Sequence, residues 1–160
     1  MIVVSLQLFG GRGGASGGGN SKQEMLAGLN KLKNFGNKNK QTKQYELKEN
    51  PLYKNATPQE AIAANAIDLQ IKGEERLKGE VETVSMENVA TTQPWVSKAG
   101  IQNGIENPGQ HKYSSDYPAG VKYNGKVFLV DGNHRGVISY LRGDKKMKIR
   151  IINQTGGKRR

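Results

Sequence analysis

Lys126-Val-Phe-Leu-Val-Asp-Gly-Asn-His-Arg135 is the stretch that decides the fold. Its four consecutive apolar β-formers, Val127 to Val130, follow Asn124-Gly125, a dipeptide that favours a two-residue type I′ turn because both residues tolerate positive φ. The spacing predicts a hairpin with this run as its second strand. Beyond Arg135, Val137, Ile138, Tyr140 and Leu141 recur at helical spacing, and Gly143 stands where a left-handed C-terminal cap belongs. A short helix from about Asn133 to Arg142 is therefore expected to leave the strand directly.

The strand-to-helix junction concentrates chemistry. Asp131 or Asn133 is placed to cap the helix, which leaves first-turn backbone N–H groups pointing outward with partial positive charge, a setting for an anion. Gly132 permits positive φ or close approach of a ligand to the backbone. Arg135 adds a forked, permanently charged donor, and His134 adds a group that titrates near neutrality. Gly132, Asn133, His134 and Arg135 are thus candidate phosphate- or nucleotide-binding residues. His134 and Asp131 are the candidate catalytic pair, and Asp131, with a nucleotide phosphate, is the candidate Mg²⁺ ligand. The structural alternatives are a cap for Asp131, a core-edge position for His134 in line with Val137, Ile138 and Leu141, and a surface ion pair for Arg135.

Phe128-Leu-Val-Asp-Gly-Asn-His-Arg-Gly-Val-Ile-Ser-Tyr-Leu-Arg-Gly143, followed by Met147-Lys-Ile-Arg-Ile-Ile152, resembles the strand, turn, helix and closing strand of the ParB/sulfiredoxin-like superfamily, in particular its small phage members of ParB-like nuclease type. Val84-Ser-Met-Glu-Asn-Val-Ala-Thr-Thr-Gln-Pro94 resembles the opening strand of that family and its Thr-Gln turn. The resemblance runs from about Val81 to Ile152. It implies an α+β fold, a small mixed-sheet domain preceded by one or two helices and a flexible glycine-rich N-terminus. It also implies that Gly132, His134 and Arg135 contact nucleotide phosphates, with Asp131 as the acidic residue of the same turn. The family includes CTP-binding partition proteins, ATP-using sulfinic acid reductases, nucleotide-dependent serine kinases and nucleases. Reductase chemistry needs a cysteine in the turn, and the chain has none. Partition proteins place further phosphate motifs and a helix-turn-helix domain after this unit, where only Asn153 to Arg160 follow, so DNA clamping is not expected.

With 160 residues, 34% hydrophobic content and 21 glycines, the chain has room for one modest domain with tails. Without cysteine there is neither a disulfide scaffold nor a thiolate metal site, and two histidines do not make a multi-histidine zinc site. Neither zinc nor haem is expected. Met1 to Phe9 is too short to span a bilayer and lacks the basic flank of a signal peptide, so no membrane association is expected, and the host cytoplasm or the virion is the expected location.

The net charge of +11 is unevenly spread, with −4 over residues 55–110 and +9 over 111–160. Lys145, Lys146, Lys148 and Arg150, with the Lys158-Arg-Arg160 tail, would attract polyanions and are the candidate nucleic-acid contacts.

Residues 1–20 read as a flexible leader, with seven glycines between Gly10 and Gly19. Its lead Ser5-Leu-Gln-Leu-Phe-Gly-Gly-Arg-Gly-Gly-Ala-Ser-Gly17 resembles leaders of tailed-phage accessory and head-morphogenesis proteins. Over 21–56, Ser21 and Glu24 form a capping box before an amphipathic Met25 to Phe35, and Lys38 to Lys48 reads as a basic linker. Over 57–79, Thr57-Pro-Gln-Glu60 is a second capping box opening a helix to about Ile71. Residues 80–153 form the domain, beginning with a strand near Val81 to Val84, and 154–160 form a basic tail. Trp95, Val96, Ile101 and Ile105 read as helical turns beneath the sheet, with Trp95 in the core. Asn107 to Ala119, with His111, Tyr113 and Tyr117, reads as a loop able to fold over the Asp131–Arg135 turn.

The expected function is binding of nucleotide or nucleic-acid phosphate by a phage-encoded domain, using a nucleoside triphosphate with Mg²⁺, and extending to phosphodiester cleavage. The alternative is a non-enzymatic accessory protein that binds a phage head component or a host protein through its N-terminal segment. A minor alternative is a nucleotide-dependent kinase of a small hydroxyl substrate.

Overall fold

This computed structural model describes residues 19–37, 46–108 and 116–155. The leader to residue 18, the basic stretch 38–45, the loop residues 109–115 with His111 and Tyr113, and the tail 156–160 lie outside the described residues. In chain order the elements are α1 (Lys22–Lys31), β1 (Asn34–Asn37), β2 (Glu46–Glu49), a 3₁₀ turn (Pro51–Asn55), α2 (Pro58–Leu69), α3 (Gly73–Arg76), β3 (Gly79–Ser85), β4 (Val89–Thr91), β5 (Trp95–Ser97), α4 (Lys98–Glu106), β6 (Ala119–Tyr123), β7 (Lys126–Asp131), α5 (Asn133–Arg142) and β8 (Lys146–Thr155). The architecture is α+β, with a five-stranded mixed sheet ordered β3-β8-β6-β7-β4 and a three-stranded antiparallel sheet ordered β1-β2-β5.

The hairpin forms as its sequence dictates. Asn124 and Gly125 take φ of 53° and 78°, and β6 and β7 run antiparallel on either side of them. The pleat of β7 then divides its apolar run between two faces. Phe128, fully buried, packs with Ala61, Ala64 and Val121 under α2. Val127 and Leu129 point the other way, packing with Leu52, Ile149 and Ile151. Covering on both faces explains why this run is continuously apolar, and each large side chain so buried contributes about 1.5–3 kcal/mol.

On the second face α5 comes close to the sheet because residue 136 is glycine; a Cβ there would lie 2.4 Å from Leu129 Cδ1. Gly143, φ 85°, closes the helix as expected, with its N–H donating to Ser139 O and Tyr140 O. The last carbonyls of α5 are met from the start of the described chain, where the Asn20 side chain donates to Leu141 O at 2.7 Å and the backbone N–H groups of Gly19 and Asn20 donate to Arg142 O.

Both capping boxes form. Ser21 Oγ accepts from Glu24 N while Glu24 accepts from Ser21 N, and Thr57 and Glu60 repeat the exchange. The amphipathic segment is shorter than expected, with α1 ending at Lys31 and Phe35 exposed on β1. Its apolar face docks on the rest of the chain, burying Met25 and Leu29 against Ile101, Ile105, Val137 and Leu141.

Two expectations are corrected. The end of the stretch read as a basic linker is strand β2, in which Leu47 and Lys48 are buried. Lys48 can be buried because its three ammonium protons reach Asn30 O, Leu32 O and Asn34 Oδ1 at 2.9–3.3 Å, placing the charge on the exposed carbonyls at the end of α1. Trp95 and Val96 lie on strand β5 rather than a helical turn, since Val96 pairs with Lys48; Ile101 and Ile105 are helical, on α4. Among the described residues no helix is long and apolar enough to cross a membrane.

At the start of α5, buried Asn133 accepts with one oxygen from Thr91 Oγ1 at 2.6 Å and from Asn50 Nδ2 at 3.1 Å, both almost fully buried. Asn133→Ala removes the acceptor of Asn50 Nδ2 and leaves Thr91 Oγ1 only its longer bond to Leu129 O at 3.3 Å, which costs about 1–3 kcal/mol. Urea denaturation should show this loss at unchanged m-value, whereas Tyr140→Ala, on the half-exposed side of the same helix, should stay within about 0.5 kcal/mol of the parent.

Candidate functional site

The chain leaves β7 at Asp131 and enters α5 through Gly132, whose φ of 83° is left-handed. A Cβ at Gly132 would also lie 2.7 Å from Pro118 Cβ, so sterics and backbone both demand glycine. The expected cap by Asp131 or Asn133 does not form. Gly132 is the cap residue, and it has no side chain to bond the first-turn N–H groups. Asp131, exposed, accepts from the N–H of Gly132 instead, at 2.9 Å. Asn133 turns its side chain inward to Asn50 and Thr91, so its contribution to the turn is backbone.

In front of this turn lies a cleft of about 900 Å³. The structure brings Asp131, Gly132, Asn133, His134, Arg135 and Arg150 to its wall, six residues singled out from the sequence. The other basic candidates do not join them. Lys146 and Lys148 line a neighbouring cleft, and Lys145 is exposed and lines neither.

The two arginines converge on one short segment. Arg135 Nη1 donates to the backbone oxygen of Asp116 at 2.6 Å. Arg150 donates to Asp116 Oδ1 through Nη2 at 2.9 Å and Nε at 3.3 Å, and holds Gly79 O through Nη1 at 2.7 Å. The hydrogen bond from Arg150 is the main reason the Asp116 carboxyl titrates below its ordinary value, with the Tyr117 N–H and the charges of both arginines adding to it.

His134 is half-buried, and its ring lies over the first turn of α4, where Gly100 leaves room for it. A Cβ on Gly100 would fall 2.4 Å from His134 Cε1. That turn is set by Ser97, whose Oγ accepts from Gly100 N at 3.1 Å. Arg76, Gln93, Trp95 and Tyr117 complete the wall, so Trp95 is half-buried at the cleft rather than enclosed in the core. Arg76 itself is tied to Asp68 at 2.6 Å.

Asp116 and Gly100 were not singled out from the sequence. Asp116 meets Arg150 across 34 residues and Gly100 meets His134 across another 34, pairings with no local pattern. Among the described residues no group of three or more His, Asp or Glu side chains is placed to hold a metal ion.

The chain matches no protein-family model, no curated protein and no solved structure. What the cleft does is read from its own geometry.

Two outcomes follow. In Gly100→Ala the added methyl displaces the His134 ring, while the helix itself gains up to about 1 kcal/mol of propensity. Far-UV circular dichroism should be unchanged, and one of the two histidine ring signals in an NMR pH titration should move. Because the folded-state pKa of Asp116 is lowered, its stabilising contribution is present above the ordinary value of 3.8 and is lost as pH falls through the lowered one. Asp116→Asn should therefore flatten the acid limb of a stability–pH curve below about pH 4 and leave the neutral region's slope unchanged.

Proposed function

We propose that this cleft binds the phosphate of a nucleotide or nucleic acid, and that the chain is a small phage-encoded domain of the ParB/sulfiredoxin-like type, acting in the host cytoplasm or on the virion. The observation that carries the reading is the meeting of three cationic features from two elements in one concavity: the start of α5, whose cap residue Gly132 carries no side chain, Arg135 on its first turn and Arg150 on β8. Anions bind at helix N-termini because backbone N–H groups and the helix dipole favour negative charge there, and a forked guanidinium matches phosphate oxygens. Asp116 supports this reading, since a carboxylate already sits on Arg150 in the cleft.

Asp131 fits the role of Mg²⁺ ligand. One carboxylate oxygen is turned to the Gly132 N–H, and Mg²⁺ is commonly held by one or two carboxylates with phosphate oxygens supplying further ligands. When bound, the ion would offset phosphate charge. His134, on the same wall, is the group able to take or give a proton at a phosphate ester oxygen, which extends the reading to phosphodiester cleavage. Burial of Met25 and Leu29 against the domain favours this reading over attachment to a head component or host protein through the N-terminal helix.

Thermal unfolding of the parent and of Arg135→Ala with ATP, CTP, GTP or short DNA, each with and without Mg²⁺, tests the reading. Saturating ligand at about 100 times Kd stabilises the folded state by about 2.7 kcal/mol, so at least one of these should raise the midpoint by several degrees in the parent and not in the variant. Absence of any shift, or shifts identical in both proteins, refutes a phosphate site at this turn. Incubation of labelled DNA and RNA with Mg²⁺ or Mn²⁺ tests the catalytic extension: cleavage lost in His134→Ala supports it, and intact nucleic acid in every case limits the site to binding.

A further inference from the structure

A second cleft, of about 630 Å³, adjoins the first, and Tyr117 and Arg135 line both. Its floor is apolar, formed by Pro118 and Ile138 among others, and its rim carries Arg142, Lys146 and Lys148 against Asp144, the lone lining carboxylate among the described residues. Arg142 is paired with that carboxylate, at 2.7 Å. Lys146 and Lys148 are different. Both are exposed, and among the described residues neither has a carboxylate within ion-pair distance. They alternate along β8 with Met147 and Ile149, so both project from the same side of the strand, roughly 6.6 Å apart along it. The second cleft is thus the more cationic of the two, and the aromatic ring at the junction, Tyr117, is 44% exposed.

Resting on the phosphate reading of the first cleft, we infer that the two clefts form one channel for a short single strand of nucleic acid. One phosphate lies at the start of α5 with Arg135, a base stacks on Tyr117, and the following phosphates lie along Lys146 and Lys148. Concave walls with an apolar floor accept splayed bases, which a duplex keeps paired, and a positive groove with an aromatic platform is the usual way a single strand is held without sequence preference. A mononucleotide fills the first cleft alone. The second cleft therefore separates the two ligand classes, and the cations that do so are Lys146 and Lys148.

The experiment measures binding of octathymidylate, of its duplex with octaadenylate and of thymidine monophosphate to the full chain. The proteins compared are the parent, the double variant Lys146→Glu/Lys148→Glu, Arg135→Ala, and Lys31→Glu/Lys33→Glu, which makes the same charge change outside both clefts. Exposed lysines are replaced in both double variants, so the fold is retained. The single strand should bind the parent at least tenfold tighter than the monophosphate and tighter than the duplex. Lys146→Glu/Lys148→Glu should weaken the octamer at least tenfold and leave the monophosphate unchanged. The slope of log K against log salt should fall by about 1.4, since each single-strand phosphate contact contributes about 0.7. Lys31→Glu/Lys33→Glu should cost less than threefold, and Arg135→Ala should weaken both ligands.

Equal binding of octamer and monophosphate, preference for duplex, or equal losses in the two double variants overturns the channel and leaves the first cleft's reading standing. Failure of the monophosphate to bind the parent, or binding of both ligands untouched by Arg135→Ala, overturns the reading on which the channel rests.

Discussion

A single buried oxygen organises the functional end of this molecule. Oδ1 of Asn133 accepts from Thr91 at the end of β4 and from Asn50 just after β2, tying together a strand of the large sheet, the exit of the small sheet and the first residue of α5. Asn50 in turn accepts from Leu52 N, which starts the 3₁₀ turn, and its own N–H donates to Pro94 O. Thr91 Oγ1 also accepts from Gln93 N. Buried polar groups are costly unless satisfied and specify a unique arrangement when they are. Here the arrangement specified is the exit angle of α5 from the sheet.

The cleft follows from that angle. With α5 pinned at Asn133 and seated on Leu129 through Gly136, its first turn faces Pro118 and the edge where Arg150 emerges. His134 can lie on α4 only because Gly100 carries no side chain, and Arg135 reaches the Asp116 carbonyl across the turn. The outcome is a helix start left open by its cap residue, with two guanidinium groups fixed beside it and two carboxylates, Asp116 and Asp131, on the same wall. Helix α5 and strands β7 and β8 carry Arg135, Asp131 and Arg150, which is what a phosphate site requires if donors are to be in place before the ligand arrives.

Much of this was legible along the chain because its signals are local. The Asn124-Gly125 turn, the apolar run of β7, the Gly143 cap and both capping boxes depend on residues within a few positions of one another, and each forms. The Asp131–Arg135 cluster was legible for the same reason, and the structure brings it to one wall. What could not be read depends on partners distant in sequence. Glu46-Leu-Lys-Glu49 looks like polar linker until the end of α1 supplies acceptors for Lys48. Asn133 looks like a cap or ligand until Asn50 and Thr91 arrive from elsewhere in the chain. Arg150 looks like one of three equivalent cations on β8, yet Asp116 and Gly79 draw it into the first cleft while Lys146 and Lys148 line the second.

The central claim is that an anion sits at the start of α5, and its most direct test is an NMR titration of the ¹⁵N-labelled full chain with inorganic pyrophosphate. The account predicts saturable movement of the backbone amide signals of Gly132 to Gly136, larger than at any other segment. Saturable movement confined to Lys145 to Lys148, or only small drifts spread over all basic segments, would contradict it.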